Sequence, residues 1–403
     1  MPSARSFSRH PLPSYFLLLL PLLYSLCLAD HLPRTFHTLS DTHLKQITQL
    51  SPPQWTSVTS GHLEHLLIPR PSGSENNTLV QQYISSAFSS LGWHEDQTPF
   101  TDDTPIGPIK FNNLIYTFDP LAPRKLVLAA HFDSKYFPTY PENQFVGATD
   151  SAAPCAFLLD LAEALTPLLK ERQRRVTSGQ ALLLDGLDEE EEAETTLQII
   201  FFDGEEAVKD WTDTDSIYGA RHLAETWETT FLPPSHPLSK RRYSPTPTIL
   251  NTIDVLILLD LLGDSNPRIH SYYRDTDWLF TQMSDVDKRL RQEGLIDVEK
   301  GEEGWFVDFK MRKGMIGDDH APFLERGVSI LHVISNPFPK VWHNLADDAS
   351  ALSLPAMRRW NRILRVFTAE YLSLIPTTNT PSQRNDHGPY SRSADELVRY
   401  SSI

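Results

Sequence analysis

At 403 residues the chain is long for one domain and short for two full-sized ones. With 40% hydrophobic residues it can bury a large core, so one α/β domain with appendages is expected. A formal net charge of −16 argues against an electrostatic hold on nucleic acid or anionic lipid.

Residues 1–29 read as a signal peptide. Arg5, Arg9 and His10 precede an apolar stretch from Tyr15 to Leu28, and Cys27-Leu28-Ala29 resembles a small-residue cleavage site before Asp30. The stretch is short for a membrane span and carries Pro21, which favours a cleaved signal over a retained anchor in the secretory pathway. Beyond that segment no membrane contact is expected. Secretion also fits the glycosylation sequon Asn76-Asn77-Thr78. Cleavage would remove Cys27 and leave Cys155 as a single thiol, so no intrachain disulfide is expected. Cys155 opens an apolar helix and reads as a buried structural thiol, not a nucleophile.

The catalytic body is expected over residues 30–375. Residues 40–60 suggest a short helix and a proline-broken loop, and residues 77–91 place Leu79, Val80, Tyr83, Ile84, Ala87, Phe88 and Leu91 on one helical stripe. Nearly continuous apolar runs at 126–130, 197–202, 255–259 and 328–334 suit strands buried on both faces of a sheet. Helical patterns at 152–171, 217–228, 277–293 and 355–374 separate them. That alternation predicts an α/β fold: a mostly parallel central sheet flanked by helices on both faces. Residues 171–196 start basic, turn acidic with seven carboxylates between Asp185 and Glu194, end polar and read as an insertion, and residues 233–247, with five prolines, read as a second loop. Residues 376–403 have the composition of a disordered tail.

Charged residues gather just after each predicted strand, where open α/β sheets build their sites. His131-Phe132-Asp133 follows the first strand, with Asp150 nearby in a tight turn. Asp203-Gly204-Glu205-Glu206 follows the second, Asp260 ends the third, Asp318-Asp319-His320 precedes the fourth, and His343 follows it. Any one of these carboxylates could simply cap a helix. Converging on one rim they would repel each other without a cation, and two carboxylates with an imidazole form a common zinc set. In Glu205-Glu206 one carboxylate can bind metal while its neighbour works as general acid and base.

Six segments resemble, in order, the animal-type glutaminyl-peptide cyclotransferases, a branch of the zinc aminopeptidase-like peptidases. They are residues 130–135 (Ala-His-Phe-Asp-Ser-Lys), 145–152, 200–207, 258–263, 318–323 and 336–343 (Asn-Pro-Phe-Pro-Lys-Val-Trp-His), and the resemblance spans residues 45–375. It implies a zinc-aminopeptidase-like fold and one zinc ion per chain, held by Asp150, Glu206 and His343. It also implies Glu205 as proton carrier, Asp260 as a second catalytic carboxylate with Asp318 as its hydrogen-bond partner, and a dry pocket walled by Trp211, Phe338 and Trp342. The implied substrate is a peptide or protein with N-terminal glutamine, and the implied products are the pyroglutamyl chain and ammonia. A monomer is expected. Two positions depart from the family: Ala130 stands where a cysteine would bridge to Cys155, and Gly317 stands where glutamine is usual. Two other readings remain open at this level. His131, Asp150, Glu206, Asp260 and His343 contain every ligand type of a two-zinc aminopeptidase, and the fold also serves non-catalytic binding modules.

Overall fold

The protein is described here by a computed structural model covering residues 36–50, 57, 60–179, 193–240, 246–298, 304–307 and 315–376. Residues from His37 onward form one unit. The expected signal peptide, residues 180–192 of the acidic insertion and residues 377–403 of the tail lie outside the described residues.

Six strands form one sheet: β1 (His94–Thr104), β2 (Gly107–Thr117), β3 (Arg124–His131), β4 (Thr195–Phe202), β5 (Ile253–Asp260) and β6 (Ile330–Ile334), in the order β1-β2-β4-β3-β5-β6. The last four are mutually parallel, as the continuous apolar runs imply. All eight residues of β4 are buried. The β1–β2 hairpin is antiparallel and joins the sheet through β2 alongside β4. It has no counterpart in the sequence expectations for a physical reason. The residues of β1 are exposed or half-buried, and the first half of β2 alternates half-buried and exposed, so neither offers an apolar run. His94, Glu95, Asp96, Pro99, Asp102 and Asp103 mark β1 as an edge that resists further pairing.

Among the described residues eight α-helices accompany the sheet: α1 (Asp41–Thr48), α2 (His62–Leu66), α3 (Glu75–Leu91), α4 (Ala153–Thr177), α5 (Tyr218–Thr229), α6 (Asp277–Gln292), α7 (Ala321–Leu324) and α8 (Leu354–Tyr371). On one face, Ala220, Leu223, Ala224 and Trp227 of α5 pack with Val127, Ala129, Ile200, Phe202, Leu256 and Leu258. On the other, Phe88 of α3 stacks on Tyr116 at 3.9 Å and meets Phe201 edge-on. Two buried ion pairs tie the helices together, Asp160 of α4 with Arg365 of α8 and Asp287 of α6 with Arg359 of α8. Helix α4 runs to Thr177, so the insertion starts later than residue 171. Glu171 pairs with Arg174 and Arg175 one turn on, which supports the extra turns. This helix is apolar and long enough to cross a membrane, but 89% of its apolar window is buried inside the protein. The 233–247 loop carries a short turn at Pro237–Lys240 and is closed by a bridge between Phe231 and Thr248.

Candidate active site

The carboxyl ends of the parallel strands converge on one rim. His131 ends β3, Asp260 ends β5, Glu205 and Glu206 follow β4, and the loop after β6 brings in His343. Asp150 comes from the irregular turn that opens α4. That turn requires Gly147: its φ is +55°, and a Cβ there would lie 2.1 Å from Asp150 O. Gly204 is needed just before the glutamate pair, because with φ at +78° a Cβ would sit 2.5 Å from the Phe111 ring. Asp133 then fixes the pair, accepting the backbone N–H groups of Glu205 and Glu206 at 3.2 Å each. Buried Arg70 donates to Phe132 O, Val146 O and Gly147 O, so one guanidinium joins the end of β3 to the Asp150 turn. Buried Asp347 joins that turn to the His343 loop. Its Oδ1 accepts the Thr149 N–H at 2.8 Å, and its backbone carbonyl accepts the Ala148 N–H at 2.9 Å.

These supports bring Asp150 Oδ2 and Glu206 Oε1 each to 3.3 Å from His343 Nε2. One ligand atom from each of the three residues lies within 4.8 Å of the others. Glu206 Oε1 is buried and makes no well-aligned hydrogen bond, with His343 Nε2 beside it at 3.3 Å, and Lys135 approaches the other oxygen at 3.4 Å. A buried carboxylate oxygen in that condition calls for a cation. Burial would lower the affinity of His343 for a proton, yet Asp150 and Glu206 push its pKa up to about 9. The same negative potential suits a divalent ion, and two carboxylates with one imidazole are a zinc donor set. The residues present therefore fit the metal.

His131 lies behind this group. Its Nε2 is 3.0 Å from Asp150 Oδ1 and 3.4 Å from Asp260 Oδ1, and its Nδ1 is 3.3 Å from Asp133. Burial opposes its protonation, but the three carboxylates hold its pKa well above the usual value. Asp260 also accepts from Ser151 Oγ at 3.0 Å. Burial raises its pKa to about 6, with the neighbouring charges of Asp318 and Asp150 adding to the effect and His131 opposing it. Glu205 is buried, and desolvation lifts its pKa well above the carboxylate range, against the pull of His131. Asp318 binds His332 Nε2 at 2.7 Å and the Asp319 N–H at 2.7 Å, which hold its pKa down although burial would raise it. The two aspartates thus act on each other through charge and form no mutual hydrogen bond, since each already has a stronger donor.

The three aromatic residues lie on loops; Pro337 and Pro339 flank Phe338, whereas Trp211 has no proline beside it. Phe338 meets Trp342 edge-on at 5.1 Å, and Trp342 stacks on the His343 ring at 3.9 Å. Trp211 is 48% exposed and Trp342 is 42% exposed, so neither lies in a sealed chamber. A Cβ on Gly317 would meet the Trp211 ring at 3.6 Å, an ordinary contact, so a longer side chain there would lean on Trp211. Cys155 is buried and free, and its thiol lies 3.1 Å from His131 O. Sequence reasoning gave no role to Arg70 or Asp347. An arginine among prolines and an aspartate in a loop carry no signal until their carbonyl and amide partners are known.

A parallel α/β sheet with carboxylates and imidazoles along its carboxyl rim defines a peptidase-type domain, and the Peptidase family M28 description matches residues 113–368. The leucine aminopeptidase precursor of Bacteroides thetaiotaomicron shares this fold, with a TM-score of 0.52 at 16% identity over 82% of this chain and 98% of that one. The mouse glutaminyl-peptide cyclotransferase-like protein is 41% identical over 340 residues, 84% of this chain and 80% of that protein. The crystal structure of Macrostomum lignano glutaminyl cyclase aligns with a TM-score of 0.70 at 37% identity, covering 85% of this chain and 96% of that one. The chain belongs to the glutaminyl-peptide cyclotransferases of Peptidase family M28.

Proposed function

We propose that the protein cyclises the N-terminal glutamine of peptides and proteins to pyroglutamate, releasing ammonia, at the rim described above. The observation that carries this reading is the convergence of Asp150, Glu206 and His343 with buried Glu205 beside them, in a chain with cyclotransferase relatives. Asp150, Glu206 and His343 would hold one zinc ion, whose Lewis acidity would polarise the side-chain amide carbonyl of the substrate. The α-amine of the same residue attacks that carbon, closing a five-membered ring with the advantage of an intramolecular reaction. Glu205 takes the proton that the amine sheds and delivers it to the side-chain amide nitrogen, so that the C–N bond breaks and the nitrogen leaves as ammonia. A carboxyl with a raised pKa suits both halves of that transfer. Asp260, at a pKa of about 6, orients the amine and then the leaving group, and Asp318 acts on it through its charge. Trp211, Phe338 and Trp342 receive the glutamine side chain.

The protein works as a monomer, with every group of the site drawn from one chain, and it is secreted after loss of residues 1–29 or retained by them as an anchor. Asn76 lies in the first turn of α3, and its Nδ2 donates to Pro69 O at 2.7 Å, a bond that the one N–H left on a glycosylated amide can still make.

One observation favours a second reading. His131, Asp150 and Asp260 form another group with ligand atoms within 4.8 Å, and it shares Asp150 with the first, as a two-metal aminopeptidase would require. Offering the protein a glutaminyl peptide and a leucine anilide separates the two. Ammonia release from the peptide is expected; amine release from the anilide alone would reverse the assignment. One zinc per chain by metal analysis is the matching expectation.

A further inference from the structure

A cavity of about 480 Å³ opens beside Glu206, within the size range of small-ligand sites. Its walls are Pro71, Ile106, Pro108, Ile109, Tyr136 and Val208, and Glu206 and Asp133 border it at the catalytic end. None of Trp211, Phe338, Trp342, Asp260 or Asp318 borders it, so it meets the proposed zinc ligands only at Glu206. Its serines are engaged elsewhere. Ser72 Oγ donates to Asp203 at 2.7 Å, Ser74 Oγ accepts the Asn77 N–H at 3.1 Å, and Ser134 Oγ accepts the Arg70 N–H at 2.9 Å. Lys110 differs from them. It is exposed, sits on β2 at the cavity wall, and forms no ion pair among the described residues, in a protein whose net charge is −16.

We propose that this cavity binds the stretch of substrate that follows the cyclising glutamine, and that Lys110 selects an acidic side chain within that stretch. The proposal rests on the cyclase reading above. A peptide whose first residue lies at Glu206, with its side chain toward the aromatic rim, leaves the site by the cavity. The apolar walls take the second residue and the ammonium faces the third. An exposed ion pair of this kind changes affinity by a modest factor.

The test compares kcat/KM for Gln-Phe-Glu-amide and Gln-Phe-Lys-amide. The native enzyme is expected to favour the acidic peptide several-fold, through KM. Lys110→Glu should invert the ratio, while Lys288→Glu, the same charge change on α6, should leave it unaltered. Calorimetry with the two pyroglutamyl products reads the same preference without turnover. Charge-dependent product binding that responds to Lys110→Glu in a protein unable to cyclise either peptide would sustain the cavity and overturn the cyclase reading. A ratio and product affinities indifferent to Lys110→Glu, or an equal response to Lys288→Glu, would overturn the cavity proposal alone.

Discussion

Glu205 and Glu206 are adjacent and both buried, yet they stand in different electrostatic surroundings. Glu206 turns one oxygen toward His343 and the other toward Lys135, while Glu205 has no cation in contact and is dominated by desolvation. Those neighbours support the division of labour proposed for the pair. Replacing Glu205 with Gln keeps the shape and removes the proton carrier. Turnover should fall by at least two to four orders of magnitude, the usual contribution of a positioned acid–base group. Zinc measured by metal analysis should stay at its native content, and unimpaired cyclisation would remove Glu205 from the mechanism. At this scale most of the candidate chemistry was legible in the sequence, because carboxylates and histidines follow apolar runs in a recognisable order. The supporting contacts were not. Asp133 could be seen beside His131, but its two backbone amide partners lie more than 70 residues away.

At the scale of elements, the four parallel strands and the long helices were legible because burial on both faces leaves continuous apolar runs. The hairpin was not, since a half-exposed edge obeys no such pattern. Two connections between elements lead to predictions. Asp347 ties the Asp150 turn to the His343 loop, so Asp347→Ala should loosen the spacing of two proposed ligands. Zinc affinity, measured by competition with a chelator, should fall about 10- to 100-fold, as for other residues that orient metal ligands. An unchanged affinity would make Asp347 purely structural. Asp160 and Arg365 pair where both side chains are almost fully buried. Asp160→Ala would strand a buried guanidinium and should cost about 3–5 kcal/mol in urea unfolding, most of it recovered when Arg365→Met is added. A loss below about 1 kcal/mol, the worth of a surface pair, would mean that water reaches the site.

For the whole molecule, the family's bridge to Cys155 is impossible here because Ala130 occupies the other position, and both residues are fully buried. Burial pushes the Cys155 thiol up to about 12, which keeps it protonated and unreactive at neutral pH. Thermal unfolding should therefore be indifferent to reducing agent. A marked drop in Tm with dithiothreitol would reveal a disulfide that the described residues do not contain. Stability rests on the helix-covered sheet and on buried ion pairs, and the proposed metal centre would add a clasp between loops.

The clasp also orders events in time. Thr149 and Asp347 meet across 198 residues, and His343 is the last of the three proposed ligands to be synthesised. A ribosome must have made five-sixths of the chain before the centre can close. Until then the glutamate pair and the Asp150 turn await the third proposed ligand. With the proposed ligand set, the three-residue zinc site is complete only once folding has brought the two distant loops together.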